Sequence, residues 1–536
     1  SRDSLMHKES GFVVSLIKEG FIINRTEGIS QADIIYFILI DRFHGSDAFN
    51  DSSAGPAAGP EQYHGGNFAG IVKKIPYLKH LGVTALWITP VYLGIGGIPG
   101  AAGMAEGYHG YWALDFERID THLIPEAADN GRDKLKILVE QLHDSGIKII
   151  LDVIVSHTGY HNEKYRGYPH RLPARWFKNR QAGMPFGLPA FDHGQAEVRD
   201  YFVNNIIDWI EDTGIDAIRL DSAGHIDQAF WYYFKAYVRG KYRNIFFLGE
   251  VLDFDADSVA QYQREYDFDS LFDFPLCGNI IDVMIRNEDN KPPEHRKGMG
   301  AIAGPRVAAA PETAGVLDTD WKYNNANRLV TLVDNHDLEK RVMSWAVHYA
   351  NGDRREAAKL VVYVLSFLLT TRGIPQIYYG TEIGLEGNRQ AGGDACLRLD
   401  MPWEKIDPST LEPFPGYYVE SFIYRNLRKL IKIRRENEAL QYGYLFTLYS
   451  SFDIYVYMRE FRGNTIIVGL NNSNAGKSVN VNIAANPNVP GRIKKNLADR
   501  RIMVNLMDES GPVEYSPSGR LEMSVKGKQA LILKLV

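Results

Sequence analysis

The sequence predicts an α/β protein: a (β/α)8 barrel with a lobe inserted after its third strand and an antiparallel β-sandwich domain at its C-terminal end. Three observations predict it. A helical stripe, a glycine and a short β-rich run recur along the chain. The runs are almost continuously apolar, as strands covered on both faces are. From about residue 437 onward the text changes to the apolar/polar alternation of an antiparallel sheet.

Residues 1–32 precede the first strand and read as an N-terminal extension. IYFILIDRF (35–43) supplies strand one. The stripe Ile71, Ile75, Leu78 leads through Gly82 into HLGVTALWITP. Leu135, Leu138, Val139 and Leu142 lead through Gly146 into DSGIKIILDV, and Phe202, Ile206, Trp209 and Ile210 through Gly214 into DTGIDAIRLD. The spacings put each stripe on one helix face, and each glycine fits the left-handed position that ends a helix. NIFFLGEV, FDSLFDF and RLVTLVDNHD follow as strands five to seven, and TTRGIPQIYYG, after the helix at 360–369, is the eighth. Eight such units close into a barrel. An open doubly wound sheet is the competitor, but no glycine fingerprint for a nucleotide follows the first strand.

The barrel is expected over 33–157 and 191–436. Residues 158–190, rich in Arg, Tyr, Pro and Gly, are too long for a βα loop and read as the inserted lobe. Arg286 to Asn327 reads as a surface excursion. A last helix with Ile423, Leu427, Leu430 and Ile431 completes the barrel, and 437–536, with FDIYVYMREF, NTIIVGLNNS and QALILKLV, forms the sandwich.

With 536 residues and 45% hydrophobic content the chain can bury more than one core. Sixty basic against 66 acidic residues give a net charge of -6 without a basic tract, which argues against nucleic acid as a partner. Two cysteines, Cys277 and Cys396, are too few for a disulfide framework or zinc ribbon. The longest apolar runs, IIYFILI and LVVYVLSFLL, are too short to cross a bilayer, so no membrane insertion is expected. The start at Ser1 fits a cleaved export signal as well as an arbitrary boundary, and the reading leans to an exported protein.

The chemistry lies at the strand ends. In GIDAIRLDSAGH (214–225) the buried strand ends in Arg219 and Asp221, two charges in the wall of a core. Buried charges are costly unless paired or used. Strand five ends in Glu250, and strand seven in His336 and Asp337. In a barrel these C-terminal ends meet around one mouth. Two carboxyl groups flanking a glycosidic bond, roughly 5 to 5.5 Å apart, one protonating the leaving oxygen and the other attacking the anomeric carbon, are the requirement for retaining sugar hydrolysis. Arg219, two residues before Asp221 and so on the same strand face, would hold that aspartate ionised. Glu250, flanked by Leu248, Val251 and Leu252, has the drier setting of an acid. A structural ion pair with isolated loop acids is the competing reading of any one of these residues.

The segments DVIVSH (152–157), GIDAIRLDSAGH (214–225), FLGEV (247–251) and LVDNHD (332–337), in this order, resemble the four signature regions of the α-amylase family. YHGYWALDF, IYFILIDRF and GIPQIYYGTEIG resemble its lesser ones. The resemblance implies retaining cleavage of α-glucosidic bonds through a covalent glycosyl-enzyme. By position it makes Asp221 the nucleophile, Glu250 the acid/base and Asp337 the third carboxylate, gripping sugar hydroxyls, with Arg219 supporting Asp221. His157 and His336 would hydrogen-bond the sugar at the point of cleavage and Tyr111 would stack on its apolar face. Arg398 is placed either on a more distant sugar or in a salt bridge. Trp176, Phe177, Phe186 and Phe191 are candidate stacking platforms or lobe core.

Two departures bear on metals. In calcium-dependent members the first region ends in Asn-His, whereas here Ser156 precedes His157, and Ala190 stands where an acidic ligand is expected. The usual lobe calcium is therefore expected to be absent. Asp47, Asn50 and Asp51, with Asn67, offer oxygen ligands suited to Ca2+, as some relatives bind it at this position; a solvated Asx-rich turn is the alternative. No organic cofactor is expected.

The expected function is hydrolysis of α-1,4-glucosidic bonds in maltooligosaccharides, starch-type glucans or cyclodextrins. A transglycosylase or a sucrose/maltose isomerase would use the same acids, and a non-catalytic glycan- or partner-binding relative would commonly lose one. The partner is an oligo- or polysaccharide substrate, and the assembly a monomer or homodimer.

Overall fold

The computed structural model describes residues 28–45, 59–100, 103–124, 131–160, 172–178, 185–304, 314–508 and 511–536. Most of the N-terminal extension and much of the 158–190 lobe lie outside these residues.

Eight parallel strands line up around the barrel: β1 (Ile35–Ile38), β2 (Ala85–Ile88), β3 (Lys148–Val153), β4 (Ala217–Leu220), β5 (Phe246–Gly249), β6 (Ser270–Leu271), β7 (Val330–Thr331) and β8 (Ile374–Tyr378). Their order around the sheet is β6-β5-β4-β3-β2-β1-β8-β7. A parallel bridge between Phe272 and Val330 joins its two ends and closes the ring. All four residues of β1, β2, β4 and β5 are buried, because helices cover one face and the barrel interior the other.

The helices that cover the barrel are α1 (Phe68–Leu81), α2 (Arg132–Asp144), α3 (Ala196–Thr213), α4 (Gln228–Lys241), α5 (Ala256–Arg264), α6 (Arg354–Thr370) and α7 (Tyr418–Arg435), and α1, α2, α3 and α7 carry the stripes read from the sequence. Gly82 ends α1 at φ 101°, where a Cβ would sit 2.7 Å from Ile431 of α7. Both the left-handed backbone and the close helix contact exclude a side chain there.

The C-terminal part folds as two layers. β9 (Tyr444–Ser450), β10 (Ile454–Phe461), β11 (Asn464–Asn471), β13 (Ile502–Asn505), β14 (Val513–Glu514) and β16 (Gln529–Leu535) form one sheet, in the order β9-β10-β11-β16-β13-β14. The pair β12 (Lys477–Asn482) and β15 (Arg520–Val525) forms the other. Val456, Met458 and Ile467 of the large sheet meet Val481, Leu521 and Met523 of the small one in a core of their own. The opposite face of the large sheet, through Tyr455, Tyr457, Ile466 and Val468, belongs to the barrel's core.

The segment expected as a surface excursion is corrected in its middle. Met299, Ile302 and Ala303 are fully buried, the Met299 N–H donates to Phe452 O, and the Ser450 hydroxyl donates to Ala303 O. Apolar residues separated by turns carry no helical or strand period, so their burial was not readable from spacing.

Two buried guanidiniums tie the parts together through main-chain carbonyls. Arg434 donates to Leu369 O, Thr371 O, Gly373 O and Gln31 O, and Arg459 to Thr370 O, Thr371 O and Gly443 O. Leu369 O, Thr370 O and Thr371 O lie at the C-terminal end of α6, where carbonyls have no helical partner. Replacing Arg434 by Met is expected to lower unfolding free energy by about 3 kcal/mol, read by denaturant titration, because several buried acceptors lose their donor at once.

Candidate active site

The site is built where the barrel ladder stops. The Asp221 N–H still donates to Val153 O and the Glu250 N–H to Leu220 O, each at 3.0 Å, so both residues leave the sheet in register and present their side chains at its mouth. Ser222 follows in a left-handed conformation, φ 51°, and its N–H donates to Glu250 Oε2 at 2.9 Å.

Below the mouth lies Arg219, 1% exposed. Its Nη1 donates to Asp221 Oδ1 and to Asp152 Oδ1, both at 2.8 Å, and its Nη2 lies 2.6 Å from Glu250 Oε1. One rigid guanidinium therefore holds both carboxyl groups and keeps their gripped oxygens within roughly 8 Å of each other. Asp152 faces Arg219 across the β3–β4 ladder and also accepts from Trp87 Nε1 at 3.2 Å and from the Tyr111 hydroxyl at 2.8 Å.

The Tyr111 oxygen sits 2.8 Å from His336 Nε2. Tyr111 has one hydroxyl proton and gives it to Asp152, so His336 supplies the proton of that second contact, which places a hydrogen on Nε2. Asp337 Oδ2 lies 3.1 Å from the same nitrogen, and Arg398 Nη2 holds Asp337 Oδ1 at 3.0 Å and Asp394 Oδ2 at 3.2 Å.

The acids are driven apart electrostatically. Burial, and then the charges of Asp221 and Asp337, push the Glu250 carboxyl up to about 8 against the opposing pull of Arg219. Burial raises Asp152 to about 7, again against Arg219. Burial acts on Asp337 in the same sense, but His336, Arg398, Arg219 and Arg389 outweigh it and hold Asp337 at about 2. His336 is pushed down to about 3, first by burial. Such divergence between neighbouring acids separates a proton donor from permanent anions.

The mouth opens into a cavity of about 760 Å3 whose walls include Asp221, Glu250, Asp337, Tyr111, His157 and Arg398. A family model for the alpha amylase catalytic domain matches residues 37–181 and 176–411. The chain belongs to the alpha-amylase family. It is 27% identical over 473 residues to the cyclomaltodextrinase of Thermoanaerobacter pseudethanolicus (strain ATCC 33223 / 39E), covering 84% of this chain and 71% of that one. To the cyclomaltodextrin glucanotransferase of Geobacillus stearothermophilus it is 28% identical over 479 residues, spanning 83% of this chain but 60% of that relative's length. The alpha-amylase of Geobacillus thermoleovorans, solved in complex with acarbose, superposes with a TM-score of 0.72 at 25% identity, over 96% of this chain and 99% of that one.

In this alpha-amylase family enzyme Asp221, Glu250 and Asp337 line one cavity. Arg219 and His336 lie beneath the cavity rather than on its wall, each 1% exposed. Arg219 supports Glu250 and Asp152 as well as Asp221. Both ring nitrogens of His157 have protein partners: Nδ1 meets Ser156 Oγ at 2.8 Å and Nε2 meets Tyr111 O at 3.1 Å. Arg398 is in a salt bridge, and from there it also lines the cavity. Leu252 is 52% exposed, so it does not dry Glu250; the side chain is buried by its place beside Arg219. Of the four lobe aromatics, Phe177 and Phe191 stack on each other at 4.9 Å and Trp176 packs on Tyr201, which makes them core. Phe186 alone stands free at 87% exposure, on the cavity wall.

Asp152, His109 and Ser222 were missed by the motif reading. An acid inside the apolar run KIILDV carried the same signal as Arg219. His109 lines the cavity and its Nδ1 accepts from the Tyr111 N–H at 3.0 Å.

Of the oxygen ligands considered for Ca2+, Asp47, Asn50 and Asp51 lie outside the described residues. Asn67 caps α1, its Oδ1 accepting from the Gly70 N–H at 2.9 Å. Ser156 is engaged by His157, and Ala190 pairs with His157 through the main chain. Among the described residues no group of three His, Cys, Asp or Glu side chains is arranged to hold a metal ion, and no helix is long and apolar enough to cross a membrane.

Replacing Asp152 by Ala takes the buried acceptor from Trp87 and Tyr111 and one of three carboxyl partners from Arg219, and a loss of about 3–5 kcal/mol in unfolding free energy is expected. Asp152→Asn, which keeps an acceptor oxygen, is expected to lose less in the same denaturant titration.

Proposed function

We propose that this enzyme hydrolyses α-1,4-glucosidic bonds in maltooligosaccharides, starch-type glucans or cyclodextrins with retention of configuration. The observation that carries the reading is the shared guanidinium: Arg219 holds Asp221 and Glu250 in one cavity while burial keeps Glu250 protonated to about pH 8. The names of the relatives, cyclomaltodextrinase and cyclomaltodextrin glucanotransferase, support the substrate class.

In the first step an Asp221 carboxylate oxygen attacks the anomeric carbon as Glu250 gives its proton to the glycosidic oxygen; the C–O bond breaks and the outer chain leaves as an alcohol. In the second, the Glu250 carboxylate removes a proton from water, whose oxygen attacks the same carbon and releases Asp221. Microscopic reversibility lets one residue serve as acid and then base. Asp337, ionised and fixed by Arg398, is placed to accept hydrogen bonds from sugar hydroxyls. A second reading, capture of the intermediate by another sugar, is favoured by Phe186 and Leu252, exposed apolar walls of the cavity that suit a sugar acceptor better than water.

Incubation with maltooligosaccharides, cyclodextrins, starch, pullulan and sucrose, with the anomer of the first product followed by NMR, is expected to show α-linked substrates consumed and the α-anomer released. Asp221→Asn and Glu250→Gln are expected to lose about 10²–10⁴-fold in kcat. Release of the β-anomer, or full activity in both variants, contradicts the assignment. Because Glu250 must carry its proton, kcat/KM is expected to hold below about pH 8 and fall as pH rises through that value.

A calcium ion held by Asp47, Asn50 and Asp51 with Asn67 is proposed on their oxygen-donor chemistry alone. Millimolar calcium is then expected to raise Tm and a chelator to lower it; equal melting curves dispose of the site.

A further inference from the structure

On the side of the barrel away from the mouth, where the C-terminal turn of α1 leads into the start of β2, a second cleft of about 750 Å3 separates α1 from α7. Six permanent cations line it: Lys79 of α1 and Arg425, Arg428, Lys429, Lys432 and Arg435 of α7. The α7 residues recur at helical spacing, interleaved with the core residues Leu427, Leu430 and Ile431, so they form a stripe in space without forming a basic tract in sequence. From Arg425 to Arg435 the stripe runs about 15 Å along the helix axis.

This positive charge is only partly answered within the protein. Glu412 lies 3.2 Å from Arg425 and 3.4 Å from Arg428, and Glu436 3.8 Å from Lys432. Lys429 donates to a neutral carbonyl, Met507 O. Among the described residues Lys79 and Arg435 pair with no carboxylate. Two acids against six cations leave an excess of positive charge in a chain whose formal net charge is -6.

Like charges at successive helical turns disfavour the helix that carries them, and a ligand of opposite charge removes that penalty. The carbonyls that would repel an anion at the end of α1 are covered: Leu78 O and Lys79 O accept from the Gly82 N–H, and His80 O from Arg428 Nε at 2.8 Å. His80 is itself pushed toward its neutral form, first by burial and then by Arg428. The cleft thus offers side-chain donors, and its concave shape suits an extended chain better than a flat bilayer surface.

We propose that this cleft binds a soluble linear oligophosphate chain, its phosphate groups laid along the α7 stripe, at a site separate from the catalytic mouth. Inorganic polyphosphate has this chemistry, whereas a phosphorylated glucan carries isolated phosphate esters on a neutral chain; titration calorimetry with pentapolyphosphate, and with phosphorylated maltooligosaccharide for comparison, tests the assignment.

The expected result is one site per chain for pentapolyphosphate, weakened by added salt because the contacts are ionic. The double variant Lys432→Ala/Arg435→Ala is expected to bind that probe at least about tenfold more weakly, whereas Lys432→Arg/Arg435→Lys binds as the parent does. Neither variant touches the mouth, so glucan turnover serves as the check that both are folded. Undiminished binding by the double Ala variant overturns the proposal. So does failure of pentapolyphosphate to bind, orthophosphate competing as well as it does, or tighter binding of phosphorylated maltooligosaccharide, of an oligonucleotide or of anionic-lipid vesicles.

Discussion

One buried cation organises the catalytic end of this protein. Arg219 sits in a dry interior with three carboxyl groups, Asp152, Asp221 and Glu250, around its two terminal nitrogens. Taking a guanidinium out of water is costly, and here three close acids offset that cost. A single positive charge cannot balance three negative ones in a low dielectric, so part of the cluster stays protonated: Asp152 and Glu250 are pushed up to about 7 and about 8. The proton that glycosidic cleavage needs is a consequence first of burial and then of neighbouring acid charge that one arginine does not balance.

The fourth acid escapes the same pressure through separate neighbours. Asp337 has Arg398 on one oxygen and His336 beside the other, and stays ionised to about pH 2. Tyr111 links the two halves: its hydroxyl bonds Asp152 on the Arg219 side and meets His336 on the Asp337 side. The left-handed turn at Ser222 completes the frame by aiming a main-chain N–H at Glu250. Such a conformation costs on the order of 1–3 kcal/mol in a residue with a side chain, and here it goes with the 2.9 Å hydrogen bond from the Ser222 N–H to Glu250.

Much of this was legible in the sequence. The eight strands, their glycine-ended helices and the change to alternation near residue 437 follow from periodicity, because burial on one or two faces leaves a mark at fixed spacing. Arg219 and Asp221 stood out as charges in an apolar strand, and the order of four motifs supplied the roles. What stayed hidden has common causes. Asp152 carried the same signal but acquires meaning only beside Arg219, its neighbour across the β3–β4 ladder. The burial of Met299 and Ile302 depends on a sheet about 150 residues later in the chain. The cations of α7 were not singled out in the sequence, and only α1, closing a cleft beside them, brings them together as a group.

The sequence by itself determined which residues are apolar at which period, hence the barrel, the sandwich and the identity of the acids at the strand ends, since these follow from local patterning. Tertiary structure alone decided how protons are shared among those acids, which aromatics are core and which stand free at the cavity, and which cations gather. These depend on distances between residues remote in the chain, and electrostatic energy and desolvation respond to distance and burial rather than to order in sequence.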